Sequence, residues 1–331
     1  HIGLLAARAL GLGGRNIIGG NRHRFCDHFG NRLCHRCLGI DRIAILAGIS
    51  FAFAFAVLLA IAFATATATA PATTTTAALA RRVIAIGGND HIIEYNIIHH
   101  VCMATDDCGA CYKGRNPSCR GNIIRYNFWY DIGSPMGHGN AAVYFDDGDG
   151  GDTVFGNVFL RCGEPGRGSF GTVFSHGGHD LLAQNNLFID CRRALGSAPW
   201  DDARWKDAVN GGQDCFWQEK LLQEVDITKP PYITRYPELV GFMDPQPGQP
   251  RISRAVNNVF VNCAEIKSGN WQVNPNTNWS TDHDPGFVST PENNFLLKPD
   301  SEIFSHLPAF QPIPFDQIGL MKDPFRPDLK P

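Results

Sequence analysis

The chain has 331 residues, of which 44% are hydrophobic and 18% are charged, so it can bury a substantial core and is not a disordered protein. Its formal net charge of −3 provides no electrostatic attraction for nucleic acid, which excludes nucleic-acid binding as a function class. The 35 glycines and 21 prolines favour a protein rich in strands and turns over a helical bundle.

Residues 1–82 form an atypical, low-complexity segment. Residues 1–93 contain no Lys, Glu, Gln, Met, Trp or Tyr, which ordinary sampling does not produce. One interpretation is a signal anchor, because the 22 residues Ile43–Ala64 would span about 33 Å as a helix behind an Arg-rich flank. That interpretation predicts a secreted, periplasmic or cell-surface protein that contacts the membrane only through residues 43–64. The other interpretation is out-of-frame translation, in which these residues are not native sequence.

From residue 83 the sequence repeats at intervals of about 30 residues. A polar residue, a short apolar run and an Asn recur, with the anchoring Asn at Asn96, Asn127, Asn157, Asn186 and Asn258. Short β-branched runs bounded by Gly, Asn and Asp at this period predict an all-β solenoid, a parallel β-helix. We expect each anchoring Asn to adopt the left-handed bend and to hydrogen-bond to its equivalents in neighbouring coils. The interval of 72 residues before Asn258 predicts one or two coils and an insertion.

A second strand of each coil aligns at similar offsets. Val143–Gly148 matches Val173–Gly178 at an offset of 30, and Ala110–Arg115 matches Ala142–Asp147 at an offset of 32. Neighbouring coils lie about 4.8 Å apart, so aligned residues stack in columns. One predicted column contains Gly114, Asp146 and His176, and the next contains Arg115, Asp147 and Gly177.

Two segments of the β-helix domain, residues 83–331, depart from the repeat. The insertion at about 199–249 mixes aromatic and charged residues and is predicted to form short helices. Its tryptophans Trp200, Trp205 and Trp217 either bury the insertion on the coils or line a groove. Residues from about 284 to 331 are predicted to be a last strand and a cap over the open end.

Several motifs resemble those of right-handed parallel β-helix proteins near glycoside hydrolase family 141, over about residues 83–323. They are Thr105–Ala110 with Gly114-Arg115, Tyr144–Asp147, Ser175–Gly178, Tyr232–Leu239 and Asp284–Phe287. The resemblance implies a right-handed helix and a carbohydrate-active enzyme, since known members act on plant cell-wall glycans as fucosidases or xylanases. It also implies catalysis by two aspartates, which match Asp107 and Asp147 here. Members have further coils upstream, to which residues 1–82 show no similarity.

Glycoside hydrolysis needs one carboxylic acid and one carboxylate that acts as nucleophile or base. Arg115 beside Asp147 in the same column favours the ionised form of Asp147. Asp146 is a third catalytic candidate, because adjacent acids repel and the pKa of one can rise. However, the alternation of a strand sends Asp146 and Asp147 to opposite faces unless a turn intervenes. We predict that Arg115, Tyr144 and His176 bind a polysaccharide or oligosaccharide substrate.

The predicted register places Asp107 and Asp147 far apart. Asp107 precedes its strand, whereas Asp147 follows the aligned strand about seven positions later, which is over 20 Å along a straight strand at roughly 3.3 Å per residue. A pair of catalytic carboxylates is separated by about 5–9.5 Å. Either the coil bends sharply, or the working pair is Asp146 with Asp147.

Two alternatives remain from the sequence. The acidic loop Asp146–Asp152 resembles a Ca²⁺-binding loop, which would suit a calcium-dependent polysaccharide lyase with Arg115 or Lys113 as its base. No other metal or cofactor is predicted. The third hypothesis is a β-helix that binds glycans without catalysis, as an inactive fragment would.

Overall fold

The computed structural model describes residues 83–133, 138–163, 170–212, 214–244, 247–248, 250–321 and 324–326. The chain divides into two compact units, residues 1–72 and 73–331, and every described residue belongs to the second. The predicted membrane segment Ile43–Ala64 therefore lies outside the described residues. Within the described ranges, none of the helices has the length and apolar character needed to span a bilayer.

Most of the regular secondary structure in the described residues is β-structure, arranged as three parallel sheets of six strands. The first sheet contains β1 (Ile84–Ala85), β4 (Cys108–Gly114), β7 (Asn140–Asp146), β10 (Val173–His176), β13 (Arg193–Ala198) and β16 (Glu265–Lys267). The second contains β2 (Ile92–Glu94), β5 (Ile123–Arg125), β8 (Thr153–Phe155), β11 (Leu182–Gln184), β14 (Ser253–Val256) and β17 (Trp271–Val273). The third contains β3 (Ile97–His99), β6 (Phe128–Ile132), β9 (Val158–Cys162), β12 (Leu187–Ile189), β15 (Val259–Val261) and β18 (Trp279–Thr281).

Consecutive strands pass from the first sheet to the second and the third, and then return to the first. We call each such set of three strands a coil. Gly114 pairs with Asp146, and Val143 pairs with Val173, which confirms the predicted offsets of 32 and 30. Stacked parallel strands in this order are compatible with the predicted solenoid.

A ladder of asparagines, buried except at Asn96, links the coils between the second and third sheets. The Oδ1 atom of each Asn accepts bonds from the backbone and side-chain nitrogens of the preceding Asn, at 2.9–3.1 Å, along Asn96, Asn127, Asn157, Asn186, Asn258 and Asn278. The predicted ladder is confirmed. The left-handed bend was placed wrongly, since the residues before the anchors, such as Tyr126 at φ 52° and Asn185 at φ 60°, adopt it. The interval before Asn258 adds one coil to the ladder.

The interior of the coils is filled by side chains stacked in the same way. Trp129, Phe159, Phe188 and Phe260 occupy equivalent positions in the third sheet, and neighbouring rings are 4.9–6.1 Å apart. All four are essentially inaccessible to solvent. Their burial contributes roughly 1.5–3 kcal/mol each, so the stacking register is strongly specified.

The insertion after β13 is partly helical. It contains α1 (Asp202–Val209), a π turn (Glu219–Gln223), α2 (Tyr232–Arg235) and a 3-10 turn (Pro237–Leu239). Trp200, Trp205 and Trp217 pack in one cluster with Phe242, and all are buried. They therefore bury the insertion and are not exposed platforms. Arg120, which is buried in the coils, holds the insertion in place through an ion pair with Glu238 at 3.2 Å.

The C-terminal segment lies along the outer face of the third sheet. It comprises β19 (Phe287–Ser289) and β20 (Asn294–Leu297), which are antiparallel, then α3 (Ile303–His306) and a 3-10 turn (Phe315–Gln317). Phe287, Phe295 and Ile303 pack there against outward-facing residues of β6, β9, β12 and β15. The segment predicted to cap the open end thus covers a side of the stack, because alternate residues of those strands present a second apolar face.

Candidate active site

The candidate site lies where neighbouring strands of the first sheet leave the sheet. β4, β7 and β10 end in one row, and the residues that follow, Arg115, Asp147 and Gly177, have φ of 68°, 46° and 76°. Left-handed φ costs roughly 1–2 kcal/mol for a residue with a Cβ atom, although Asp tolerates it better than most. Strain of this kind is often concentrated at functional sites.

The turn at Asp147 brings two adjacent acids together. The Nδ1 atom of His176 lies 2.9 Å from Asp146 Oδ1 and 3.1 Å from Asp147 Oδ1. Alternation within the strand would have separated these side chains, but β7 ends at Asp146 and the left-handed φ of Asp147 reverses its direction. The predicted stacking of Asp146 beside His176 is therefore present, and Asp147 joins it.

Asp107 also lines the site, although it precedes β4 and Asp147 follows β7. Within β7, the amides of Ala142 and Val143 both donate to the Thr172 carbonyl, at 2.9 and 3.0 Å, which marks a bulge in the strand. The long separation expected from a straight strand does not keep Asp107 out of the cavity that Asp147 lines.

Tyr144 connects Asp107 with Asp146. Its buried hydroxyl lies 3.3 Å from Asp107 Oδ1 and 3.1 Å from Asp146 Oδ1, so these carboxylate oxygens are at most about 6.4 Å apart, the two distances laid end to end. One hydroxyl carries one proton. Both contacts are hydrogen bonds at once only when one of the two acids is protonated and donates to the hydroxyl oxygen.

The surroundings distinguish the acids. Asp146 accepts bonds from the Tyr112 hydroxyl at 2.8 Å and from the Asp147 amide at 2.9 Å, in addition to Tyr144 and His176. Asp107 is exposed, and Tyr144 is its side-chain partner among the described residues. Asp107 is therefore the acid of this pair that a substrate can reach with fewer competing contacts.

Asp147 is held as a carboxylate. Arg115 Nε donates to its Oδ2 at 2.7 Å, and His176 contacts its Oδ1. Burial alone would raise the pKa of Asp147, but the bonds from His176 and Arg115 outweigh burial and lower it. Arg115, expected to bind substrate, is thus engaged with Asp147 through one nitrogen, while half of its side chain stays exposed.

His176 experiences opposing influences. Burial lowers its pKa, but the bonds to Asp146 and Asp147 outweigh burial and raise the pKa of His176 to about 9. On the other side of the ring, Trp200 Nε1 lies 3.2 Å from Nε2. An indole N–H can only donate, so this contact favours the neutral imidazole.

The acids and their partners open into a cavity of about 340 Å³. It is lined by the predicted residues Asp107, Arg115, Tyr144, Asp146, Asp147 and His176, and also by His138, Phe170, Phe174 and Ala198. Phe174 aligns with Tyr144, as does Tyr112, so register alone could have identified both. His138 and Phe170 lie between strands, outside the aligned positions of the repeat, so the repeat did not predict them. A second depression, of about 580 Å³ near Trp279 and His283, contains none of the predicted residues.

The remainder of the acidic loop has a different environment. The Lys113 ammonium, 2% exposed, lies 2.6 Å from Asp152 and 3.3 Å from Asp149, and it also donates to the Cys119 carbonyl. Burial raises the pKa of Asp149 to about 6 despite the nearby ammonium. The acids expected to hold Ca²⁺ are thus divided between the cavity and Lys113, which already supplies positive charge. Lys113 is too enclosed to act as the base of a lyase.

Within the described ranges, Asp146, Asp147 and His176 are the group whose potential metal-ligand atoms lie close together, within 4.8 Å of one another. His176 Nδ1 lies within hydrogen-bond distance of both carboxylates, at 2.9 and 3.1 Å, so a proton on Nδ1 can be donated to them. Arg115 adds a positive charge at Asp147. We therefore assign this group to hydrogen bonding and proton transfer.

Comparison with models of known protein families, with curated proteins and with solved structures gave no match for this chain.

Proposed function

We propose that this protein is a right-handed parallel β-helix of the group near glycoside hydrolase family 141, and that it hydrolyses glycosidic bonds in a polysaccharide or oligosaccharide. The observation that carries the proposal is the meeting of Asp107, Asp146 and Asp147 in one cavity of about 340 Å³. Tyr144 links Asp107 to Asp146, whose nearest oxygens are at most about 6.4 Å apart, and Asp147 follows Asp146 in the same cavity, so the acids are close enough together to act on one glycosidic bond.

The surroundings of the acids support distinct roles. Asp147, ionised beside Arg115, is the nucleophile or the base that activates water, because hydrolysis needs an anion facing a developing oxocarbenium ion. Asp107 is the general acid that protonates the leaving oxygen. Asp146 accepts hydrogen bonds from four donors. It is linked to Asp107 through Tyr144 and to Asp147 through His176.

The cavity suits a sugar ring in other respects. Phe170 and Phe174 stack with their ring centroids 4.4 Å apart and provide apolar surface beside the acids. Sugar rings have apolar faces and hydroxyl edges, and ligand sites combine such apolar surface with a few polar groups. A calcium-dependent lyase is less well supported, because Lys113 is enclosed and Arg115 is engaged with Asp147.

The proposal is tested by turnover. The full chain is incubated with plant cell-wall polysaccharides and their oligosaccharides, and new reducing ends are measured. We expect hydrolysis by the unaltered protein and a loss of about 10²–10⁴-fold in both Asp107→Asn and Asp147→Asn. Asp131→Asn is the matched control, since Asp131 is an acid paired with Arg161 outside the cavity.

Three outcomes would contradict the proposal. Glycan binding without new reducing ends would indicate a binding protein. An unsaturated product would indicate a lyase. Full activity in Asp147→Asn would show that the assigned carboxylate is not the nucleophile or base.

A further inference from the structure

The contact between Trp200 and His176 connects the insertion with the histidine that holds Asp146 and Asp147. Trp200 follows β13, lies 24 positions after His176, and donates from Nε1 to Nε2 at 3.2 Å. The rings meet edge to face, with centroids 5.6 Å apart and planes at 87°. This orientation aims the indole N–H at the ring nitrogen that does not face the acids.

The position of Trp200 is well defined. Its ring stacks on Trp217 with centroids 6.0 Å apart, and the Arg251 guanidinium donates to its carbonyl at 3.2 Å. A Cβ atom at Gly177 would lie only 2.5 Å from the indole, so glycine is needed there for the close approach. The indole is 5% exposed, which leaves its N–H little access to water as an alternative partner.

We propose that Trp200 is a positioning residue whose indole N–H makes the neutral Nδ1–H imidazole, rather than the imidazolium, the form of His176 that holds Asp146 and Asp147 in the working pH range. The inference rests on the proposed function, because its purpose is to keep the full negative charge of Asp147 for the developing oxocarbenium ion. An imidazolium 3.1 Å away would cancel part of that charge.

The physical reason is that Nε2 of His176 cannot carry a proton and accept the indole N–H of Trp200 at the same time. Protonation of Nε2 would place two N–H groups opposite each other at 3.2 Å and leave a buried donor without an acceptor. The cost of an unpaired buried donor corresponds to about one to two pKa units. This offsets part of the increase that the two carboxylates cause, and brings the titration of His176 back toward neutral pH.

Other polar and charged groups near His176 belong to three parts of the chain. They are Asp146 and Asp147 from β7 and its end, Tyr112 and Arg115 from β4 and its end, and Trp200, Arg204, Cys215 and Lys220 from the insertion. Arg204 lies over the Trp200 ring at 4.5 Å, and Lys220 donates to the Arg115 carbonyl. Among them, Trp200 is the group that contacts Nε2, so its replacement isolates the effect.

The first test needs no substrate. The ¹⁵N resonances of the histidine rings are followed from pH 5 to 10, and His176 is identified among the 12 histidines by its absence in His176→Gln. We expect the titration midpoint of His176 to rise by about one to two units in Trp200→Phe, which keeps an aromatic ring but lacks the N–H. Trp205→Phe is the control, because Trp205 donates to the Phe242 carbonyl in the same cluster.

The second test follows activity. In Trp200→Phe, we expect kcat at neutral pH to fall about 10–100-fold and to recover at alkaline pH, with KM unchanged. The reason is that the acidic limb of the pH–rate profile shifts together with the pKa of His176. A merely structural role would lower activity equally at every pH. If Trp200→Phe does not fold, the unaltered protein still provides a test, namely a ¹⁵N–¹⁵N scalar coupling between Trp200 Nε1 and His176 Nε2.

The inference is overturned if that coupling is absent, or if the His176 midpoint moves by less than about 0.3 unit in Trp200→Phe. It is also overturned if Trp205→Phe moves the midpoint equally. A shifted midpoint in a protein that hydrolyses no glycan would instead retain the proton positioning and reject the proposed function.

Discussion

The acidic run from Asp146 to Asp152 contains two pairs of aspartates in contrasting environments. Asp146 and Asp147 line an open cavity, where Arg115 and His176 contact them from partly exposed positions. Asp149 and Asp152 are fully buried around the Lys113 ammonium. Aspartates within seven positions of one another thus belong either to an open cavity or to an internal ion cluster.

The contrast indicates that access to solvent decides whether an aspartate pair acts mainly on stability or is available for chemistry. A buried pair that loses its cation leaves uncompensated charge in a medium of low dielectric constant, whereas an accessible pair is screened by water. The closed cluster is therefore expected to control stability, and the open one is expected to control chemistry. The substitutions described next test the difference between the buried and the accessible cluster.

The largest expected effect on stability comes from removing the enclosed cation. Lys113→Met leaves Asp149 and Asp152 without their ammonium, and we expect the free energy of unfolding to fall by about 3–5 kcal/mol. Urea denaturation measures this change. Lys229→Met is the matched control, because Lys229 is 72% exposed in its pair with Asp226, where water screens the interaction, and its loss should be far smaller. Equal effects of the two substitutions would show that burial does not govern the contribution of an ion pair here.

The next effect concerns pH. The pKa of Asp149 is about 6 in the folded protein, above the roughly 3.9 of an unfolded chain. The folded state therefore binds more protons between these values, and this group adds stability as pH falls through about 6 toward 4. The slope is at most about 1.4 kcal/mol per pH unit.

Asp149→Asn should remove this contribution from unfolding curves recorded between pH 4 and 7. The control is Asp226→Asn, because the pKa of Asp226 is lowered to about 2 by its bonds to Lys229 and Thr228 and does not titrate in that range. An unchanged slope in Asp149→Asn would mean that burial does not govern the closed cluster.

A smaller effect is expected at the hydroxyl that joins the acids in the open cavity. Tyr144→Phe removes the contacts to Asp107 and Asp146, and we expect glycosidase activity to fall about tenfold, the equivalent of one hydrogen bond. Tyr112→Phe provides the comparison, since Tyr112 contacts Asp146 without bridging to Asp107. A larger loss in Tyr112→Phe would argue against Asp107 as the acid.

The smallest effect on stability is expected for the exposed cation. The lowered pKa of Asp147 means that its pair with Arg115 stabilises the fold above about pH 4, and that this contribution is lost as pH falls further. Because the Arg115 side chain is 50% exposed, Arg115→Gln should cost less than about 1 kcal/mol at pH 7. Unfolding in 0.05 and 0.5 M NaCl measures it, and the difference should shrink with salt. A cost equal to that of Lys113→Met would show that the exposed Arg115 pair and the buried Lys113 cluster stabilise the fold equally.

The repeat made much of the fold accessible from the sequence. The offsets of 30 and 32 residues place Asp146 beside His176 and Arg115 beside Asp147, because the parallel register is the same for every residue of a strand. The asparagine ladder followed from the same periodicity. Columns of equivalent residues are thus predictable wherever coils repeat without interruption.

Features that interrupt the repeat were not predictable. The bulge at Ala142 and Val143 has no sequence signal, because no residue type there predicts it. The left-handed turn at Asp147 joins two acids that strand alternation would separate. The burial of Lys113 depends on carbonyls and carboxylates from a later coil, so its sequence neighbours gave no indication.

The sequence by itself determined which residues share a column, since repeat length fixes register and register fixes neighbours across coils. It thereby nominated Asp146, Asp147, Arg115 and His176, whereas Asp107 and Tyr144 belong to the motifs of the family resemblance. The tertiary structure decided which acids open to solvent, how Asp107 approaches Asp146, and that Trp200 contacts His176. These features depend on how the Tyr144 side chain and the insertion pack, because burial and hydrogen-bond direction are properties of the packed chain and not of its period.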